Sequence, residues 1–194
     1  MHTGTKGEKE IQKQQASTKR ASKFYNSQMK DQLSAKMKAL IDRQEMFFIA
    51  TSDAQGNCDC SPRFGKQGFI KILDSKTLAY PEYRGNGVFA SLGNILENPH
   101  IGIVFVDFFD STVGLHVNGA ANSYKELEIP KNYQEQILDF SKNIEVPIEK
   151  WVLVSIDEAY IHCSKHVPKL EKKDKIIHWG TDSKKEKAVD FFEV

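Results

Sequence analysis

LAYPEYRGNGVFASLGNILENPHIGIVFVD, residues 78–107, sets the architecture of this chain. A strand-like piece ending near Tyr80 leads into the turn Arg84-Gly85-Asn86-Gly87. Val88, Phe89, Leu92, Ile95 and Leu96 then follow the 3.6-residue period of a short amphipathic helix, closed by Asn98-Pro99. Ile101–Val106 is almost continuously apolar and short, as expected of a buried strand. The turn sets a fixed positive charge and two glycines beside a helix start. Helix N-termini offer unpaired N–H groups and partial positive charge, so this is a candidate phosphate cradle. The same residues also suit an ordinary loop, with glycine supplying positive φ.

Short strands flank this segment on both sides. Met46–Thr51, Cys58–Ser61, Phe69–Leu73 and Thr77–Tyr80 are separated by turn signals at Asp53–Gly56 and Asp74–Lys76. Leu115–Ala120, Trp151–Ile156 and Tyr160–Ser164 read as later strands, with a helix over Pro130–Phe140 before the last two. Met29, Leu33, Met37, Leu40 and Ile41 share one helical face upstream. The pattern predicts a mainly β fold, an antiparallel barrel or sandwich with accessory helices. It contains neither a strand–GxGxxG–helix unit nor GxxxxGK[ST]. Three segments follow: a helical N-terminal extension over 1–45, a barrel domain over 46–168, and a Lys-rich C-terminal tail over 169–194, loosely held until Ile176, Ile177 and Trp179 and packing on the barrel or on a partner subunit.

The chain has 194 residues, 40% hydrophobic and 27% charged, as in one ordinary globular domain. No stretch approaches the ~20 apolar residues of a membrane span. The N-terminus lacks the apolar core of a secretory signal, and three cysteines cannot all pair, so a cytoplasmic setting is expected. Charge is unevenly spread: residues 1–45 hold 10 Lys/Arg against 5 Asp/Glu, and residues 46–160 hold 9 against 15. An acidic body argues against nucleic acid as the main partner and draws attention to its fewer cations, such as Arg63 and Arg84.

A phosphate site needs more than one cation. Ser61 and Arg63 would join Arg84 if the Cys58–Ser61 and Thr77–Tyr80 strands lie close together, and Ser91 and Asn94 would add neutral donors. Cys58 and Cys60 share a strand face, but four well-spaced ligands are not visible and no metal site is expected. His162 and His166 would share a face only on a helix. No nucleophile elbow or catalytic triad stands out, so no catalytic residue is assigned.

Five stretches carry a family resemblance: GEKEIQ (7–12), FFIATSDAQGNCDCSPRFGKQGFIKILD (47–74), TLAYPEYRGNGVFASLGNILENPHIGIVFVDF (77–108), LHVNGAA (115–121) and AYIHCSKHVPK (159–169). The chain resembles the FMN-binding split-barrel proteins related to pyridoxamine 5′-phosphate oxidase, within them the flavin-nucleotide-binding branch. The resemblance implies a six-stranded antiparallel split β-barrel and a homodimer with FMN at the subunit interface. It implies that Ser61, Arg63, Arg84, Asn86, Ser91 and Asn94 hold the phosphate, and that Phe69, Ile70 and Lys71 meet the flavin ring edge. The implied function is that of an FMN-dependent oxidoreductase acting on an unknown small molecule, with a nicotinamide donor as one electron source. The oxidase's Arg-x-Val-Leu-Leu-Lys strand, Ser-Arg-Lys loop and C-terminal Arg-x-His are missing, so pyridoxamine phosphate oxidation is not expected. The alternatives are a non-catalytic flavin carrier or sensor, or a haem or deazaflavin binder, with His116 and His162 as the hooks for haem.

Overall fold

The computed structural model describes residues 3–142, 144 and 146–177. Among these residues, seven strands form one antiparallel sheet: β1 Met46–Ser52, β2 Cys58–Phe64, β3 Lys71–Ile72, β4 Thr77–Tyr83, β5 His100–Val106, β6 Gly114–Tyr124 and β7 Ile148–His162. Their spatial order is β2-β1-β5-β6-β7-β4-β3. The helices are α1 Lys6–Gln14, α2 Thr18–Ser27, α3 Ala35–Asp42, α4 Ala90–Glu97 and α5 Lys131–Ser141.

Turn chemistry fixes the first hairpin. The Asp53 carboxylate accepts from the Gln55 and Asn57 amides at 2.9 and 2.8 Å, and Gly56 takes φ +86°. This sets the register from Met46 opposite Phe64 to Ser52 opposite Cys58. Side chains then alternate along β1, sending Phe47, Ile49 and Thr51 inward. The Phe47 ring lies 5.2 Å from Tyr80, 5.3 Å from Phe105 and 5.6 Å from Phe69. Tyr80 is on β4, four strands away from β1 in the sheet order. Such contact requires the sheet to curl round its own interior, which is the split barrel.

Two apolar clusters share β4 and β7. The barrel interior gathers Phe47, Ile49, Leu78, Tyr80, Ile103, Phe105, Val117, Val152 and Val154, plugged by Leu40 and Ile41 of α3 and Leu92 and Ile95 of α4. On the outer side, α5 brings Ile137 against Ala79, Trp151 and Leu153. Burial on both faces explains why Trp151–Val154 is an unbroken apolar run.

Three expectations change. The two last strands, Trp151–Ile156 and Tyr160–Ser164, are one strand, β7, broken only in pattern by a bulge where the register shifts between Asn118 and Gly119. A Cβ on Gly119 would lie 2.0 Å from the Ser155 carbonyl oxygen, so the bulge admits only glycine there. The segment Phe69–Leu73 is mostly not strand: only Lys71 and Ile72 pair with β4, while Phe69 and Ile70 are buried as a barrel plug. Counting this two-residue piece gives seven strands instead of six. Third, the helical face from Met29 begins later. Lys30 is extended and exchanges two backbone hydrogen bonds with Ala159, and α3 starts after Ser34, whose hydroxyl accepts from the Met37 amide at 3.3 Å.

The N-terminal helices fold back on β7. Phe24 of α2 meets the Tyr160 ring edge-on at 5.9 Å, and Tyr25 ties α2 to α1 through Gln12 and Glu8. Beyond β7, the Leu170 amide bonds to the Phe108 carbonyl, and Lys172 pairs with Glu45. Ile176 and Ile177 are exposed, and Trp179 lies outside the described residues.

Candidate functional site

A cleft of about 530 Å³ opens between β2, the end of β4, and the loop leading into α4. That volume lies within the ~300–1,000 Å³ of small-molecule sites. Its lining includes Ser61, Arg63, Arg84, Asn86 and Ser91, so five of the expected phosphate holders meet in one place. β2 and β4 are not paired, and the curl of the sheet is what brings them together.

Local structure positions most of these residues. Along β2, Asp59, Ser61 and Arg63 alternate onto the partly buried face, while Cys58, Cys60, Pro62 and Phe64 face solvent. Gly87 takes φ +79°, and the Asn86 side-chain oxygen accepts from the Val88 amide at 3.0 Å, which tightens the loop. Phe89, at φ 55°, is a non-glycine residue in the left-handed region, a conformation costing on the order of 1–2 kcal/mol. α4 therefore begins at Ala90, two residues later than the period suggests, and receives no side-chain cap. Its first residues, Ala90 and Ser91, face the cleft. Val88, Phe89 and Phe64 are exposed at the rim.

The electrostatics are mixed. Arg63 donates from Nε and Nη2 to the same Glu82 oxygen, Oε1, both at 2.8 Å, and from Nη1 to Ser61 Oγ at 2.8 Å and the Pro62 carbonyl at 3.0 Å. The pair is well shielded, with side chains 16% and 13% exposed. Burial pushes the Glu82 carboxyl above its ordinary range, and the adjacent Arg63 opposes that shift. Ser91 Oγ donates to Asp59 Oδ2 at 3.0 Å. Two carboxylates, Glu82 and Asp59, therefore hold donors of the cleft.

The remaining expected residues lie elsewhere. Phe69 and Ile70 are in the barrel core, and Lys71 sits over the Phe140 ring at 5.3 Å. Asn94 donates to Thr51 Oγ1 at 3.1 Å, which pins α4 to β1. Cys58 and Cys60 are exposed, and among the described residues no group of three His, Cys, Asp or Glu side chains could hold a metal. Sequence reasoning missed Glu82 and Asp59. A signal existed for both: Glu82 continues the inward face of Leu78 and Tyr80, and Asp59 shares the face of Ser61 and Arg63.

A second polar cluster lies on the outer face of β6 and β7. His116 Nε2 and His162 Nδ1 are 3.0 Å apart, and His116 stacks on Tyr160 with ring centroids at 4.8 Å. Burial, aided by His162, depresses the protonation of His116. Nearby, Asn118 donates to Glu158 at 2.8 Å.

An antiparallel split barrel with a polar cleft between β2 and the β4–α4 loop is a recognisable class. Residues 33–163 match the pyridoxamine 5′-phosphate oxidase family, and the chain belongs to it. No curated protein matches the chain. Among solved structures, HupZ from Group A Streptococcus is similar in two forms, with TM-scores of 0.52 and 0.51 and 23% and 24% identity. These matches cover 66% of this chain and 98% and 93% of theirs, and they show a shared fold. An FMN-binding protein from Syntrophomonas wolfei also matches, at TM-score 0.44 and 12% identity, over 64% of this chain and 86% of that one. Among the described residues, no helix is long and apolar enough to cross a membrane.

Proposed function

We propose that this chain is an FMN-binding oxidoreductase of the cytoplasm, working as a homodimer on a small molecule. The observation that carries the reading is the convergence of Ser61, Arg63, Arg84, Asn86 and Ser91 on one cleft of suitable size. Two arginines, two hydroxyls and the uncapped start of α4 are the donor set a phosphate requires. The exposed rings of Phe64 and Phe89 at the rim offer apolar surface to a planar group. Bound FMN would supply two-electron redox chemistry, while the protein holds and orients it. Ser61, Arg63, Arg84, Asn86 and Ser91 would grip the phosphate. Three exposed, unpaired cysteines suit a reducing compartment.

The test is an absorbance spectrum of the purified protein, repeated after incubation with FMN and removal of the excess. Retained flavin bands support the reading, and nicotinamide-dependent bleaching would support the oxidoreductase step. Retained flavin that no donor reduces would favour a carrier or sensor. A protein that retains no flavin either time refutes the reading. A second reading, haem binding, is favoured by the contact between His116 and His162, which places two imidazoles within 3.0 Å of each other. A Soret band after haem addition, lost in His116→Ala, would support it.

A further inference from the structure

We propose that Glu82 is a built-in competitor for the phosphate site, so that anion binding in the cleft is coupled to uptake of one proton by Glu82. This rests on the FMN reading and specifies how that site is regulated.

Arg63 is the cation most enclosed by the cleft, and all three of its nitrogens already donate within the protein. These contacts use four of the five guanidinium N–H groups, so a phosphate can grip Arg63 through two parallel N–H bonds only by displacing one of the acceptors. The Ser61 hydroxyl can stay, because it can turn to donate to phosphate. The Pro62 carbonyl belongs to the strand. Glu82 Oε1 takes two of the donors at 2.8 Å and is the acceptor whose place an anionic oxygen would occupy. Ser91 repeats the arrangement, since its hydroxyl is held by Asp59 Oδ2.

Displacement leaves Glu82 in a poor setting. Its side chain is 13% exposed, and Tyr80 beside it on the inward face of β4 is fully buried, with no hydrogen-bond partner for its hydroxyl among the described residues. Arg63 faces Glu82 from β2, and Asp59 lies on the same β2 face. From β7, Glu149 opposes its ionisation, while Lys150 is its register partner across the strands. Arg84 and the incoming phosphate complete the cleft. An ionised carboxylate stripped of its guanidinium and set beside a phosphate dianion is unfavourable, and protonation removes the conflict. The proton comes from solvent and converts the Glu82 carboxylate to the neutral acid; no other bond changes. The carboxylate therefore keeps Arg63 satisfied when the site is empty and yields it when an anion arrives.

The experiment is calorimetric titration of the full chain with FMN, and separately with riboflavin, which lacks the phosphate. Titrations run between pH 7 and 8.5, above the second phosphate ionisation near ~6, in buffers of different ionisation enthalpy. The wild-type protein should take up close to one proton per FMN, with affinity falling up to about tenfold per pH unit. Riboflavin should show no uptake, and Glu82→Gln should bind FMN with neither uptake nor pH dependence. FMN binding without proton uptake, or uptake that persists in Glu82→Gln, overturns the inference and leaves the flavin reading intact. Failure of the wild-type protein to bind FMN overturns both.

Discussion

Replacing Arg63 with glutamine should expose what the cleft costs when its ion pair is broken. The substitution removes the two 2.8 Å donors to Glu82 and leaves a carboxylate 13% exposed at the end of the barrel interior. Breaking a buried ion pair from one side costs about 3–5 kcal/mol. Because both side chains keep some solvent contact, the lower end applies, about 3 kcal/mol at pH 8. The sign of the pH dependence follows from Glu82. Its folded-state carboxyl is already raised by burial, and losing Arg63 raises it further. The folded state then holds a proton that the unfolded state releases, so stability is retained at acid pH and lost as pH rises through the raised value. A penalty of about 3 kcal/mol corresponds to a displacement of roughly two pH units. Urea unfolding followed by tryptophan fluorescence, to which the fully buried Trp151 contributes, measures this between pH 5 and 8. The double variant Arg63→Gln with Glu82→Gln should recover most of the loss. A single variant that loses less than about 1 kcal/mol at pH 8, or whose loss is independent of pH, would refute the buried-pair argument.

Three further outcomes are expected. Arg84→Ala should weaken FMN binding by about 1.5–3 kcal/mol, one to two orders of magnitude in Kd, with the far-ultraviolet dichroism unchanged; an unaltered Kd would remove Arg84 from the phosphate site. Gly119→Ala should destabilise by about 3 kcal/mol, because the new methyl meets the Ser155 carbonyl and the backbone must move; a shift in melting temperature below 2 °C would contradict the bulge geometry. Asp107 is buried, which favours its neutral form, but donors from Ser111, Arg43 and the Asp110 amide outweigh burial and hold its carboxyl well below the usual range. Its contribution is present above the ordinary carboxylate pKa and disappears as pH falls through the depressed value, so Asp107→Asn should lose about 1.5–3 kcal/mol at pH 7 and less in acid, read by thermal melts across pH 2–7.

The barrel was legible because its strands alternate and its turns carry their own chemistry. Asp53–Gly56 announces the first hairpin, and the apolar run before Asp107 announces β5. Apolar character misleads where burial and pairing part company. Phe69 and Ile70 look like strand because they are buried, yet they plug the barrel without joining a ladder. β7 reads as two strands because the bulge opposite Gly119 resets the alternation between Ile156 and Ala159. The site was half legible. Cations and hydroxyls drew attention through the Arg84–Gly87 turn. Periodicity along β4 puts Glu82 on the inward face, but its pairing with Arg63 depends on the curl that carries β2 to β4, which one strand does not reveal.

The 15-residue strand β7 has a consequence for how the molecule fails. It pairs with β6 from Trp151 to His162 and with β4 from Ile148 to Ser155, and Trp151–Val154 sends side chains alternately to the barrel interior and to α5. Neither cluster can melt without stripping one face of the strand the other depends on. The described barrel and its outer helix therefore form one cooperative unit instead of two separable halves. β7 acts as its party wall: a defect introduced from either side is felt as lost support on the other.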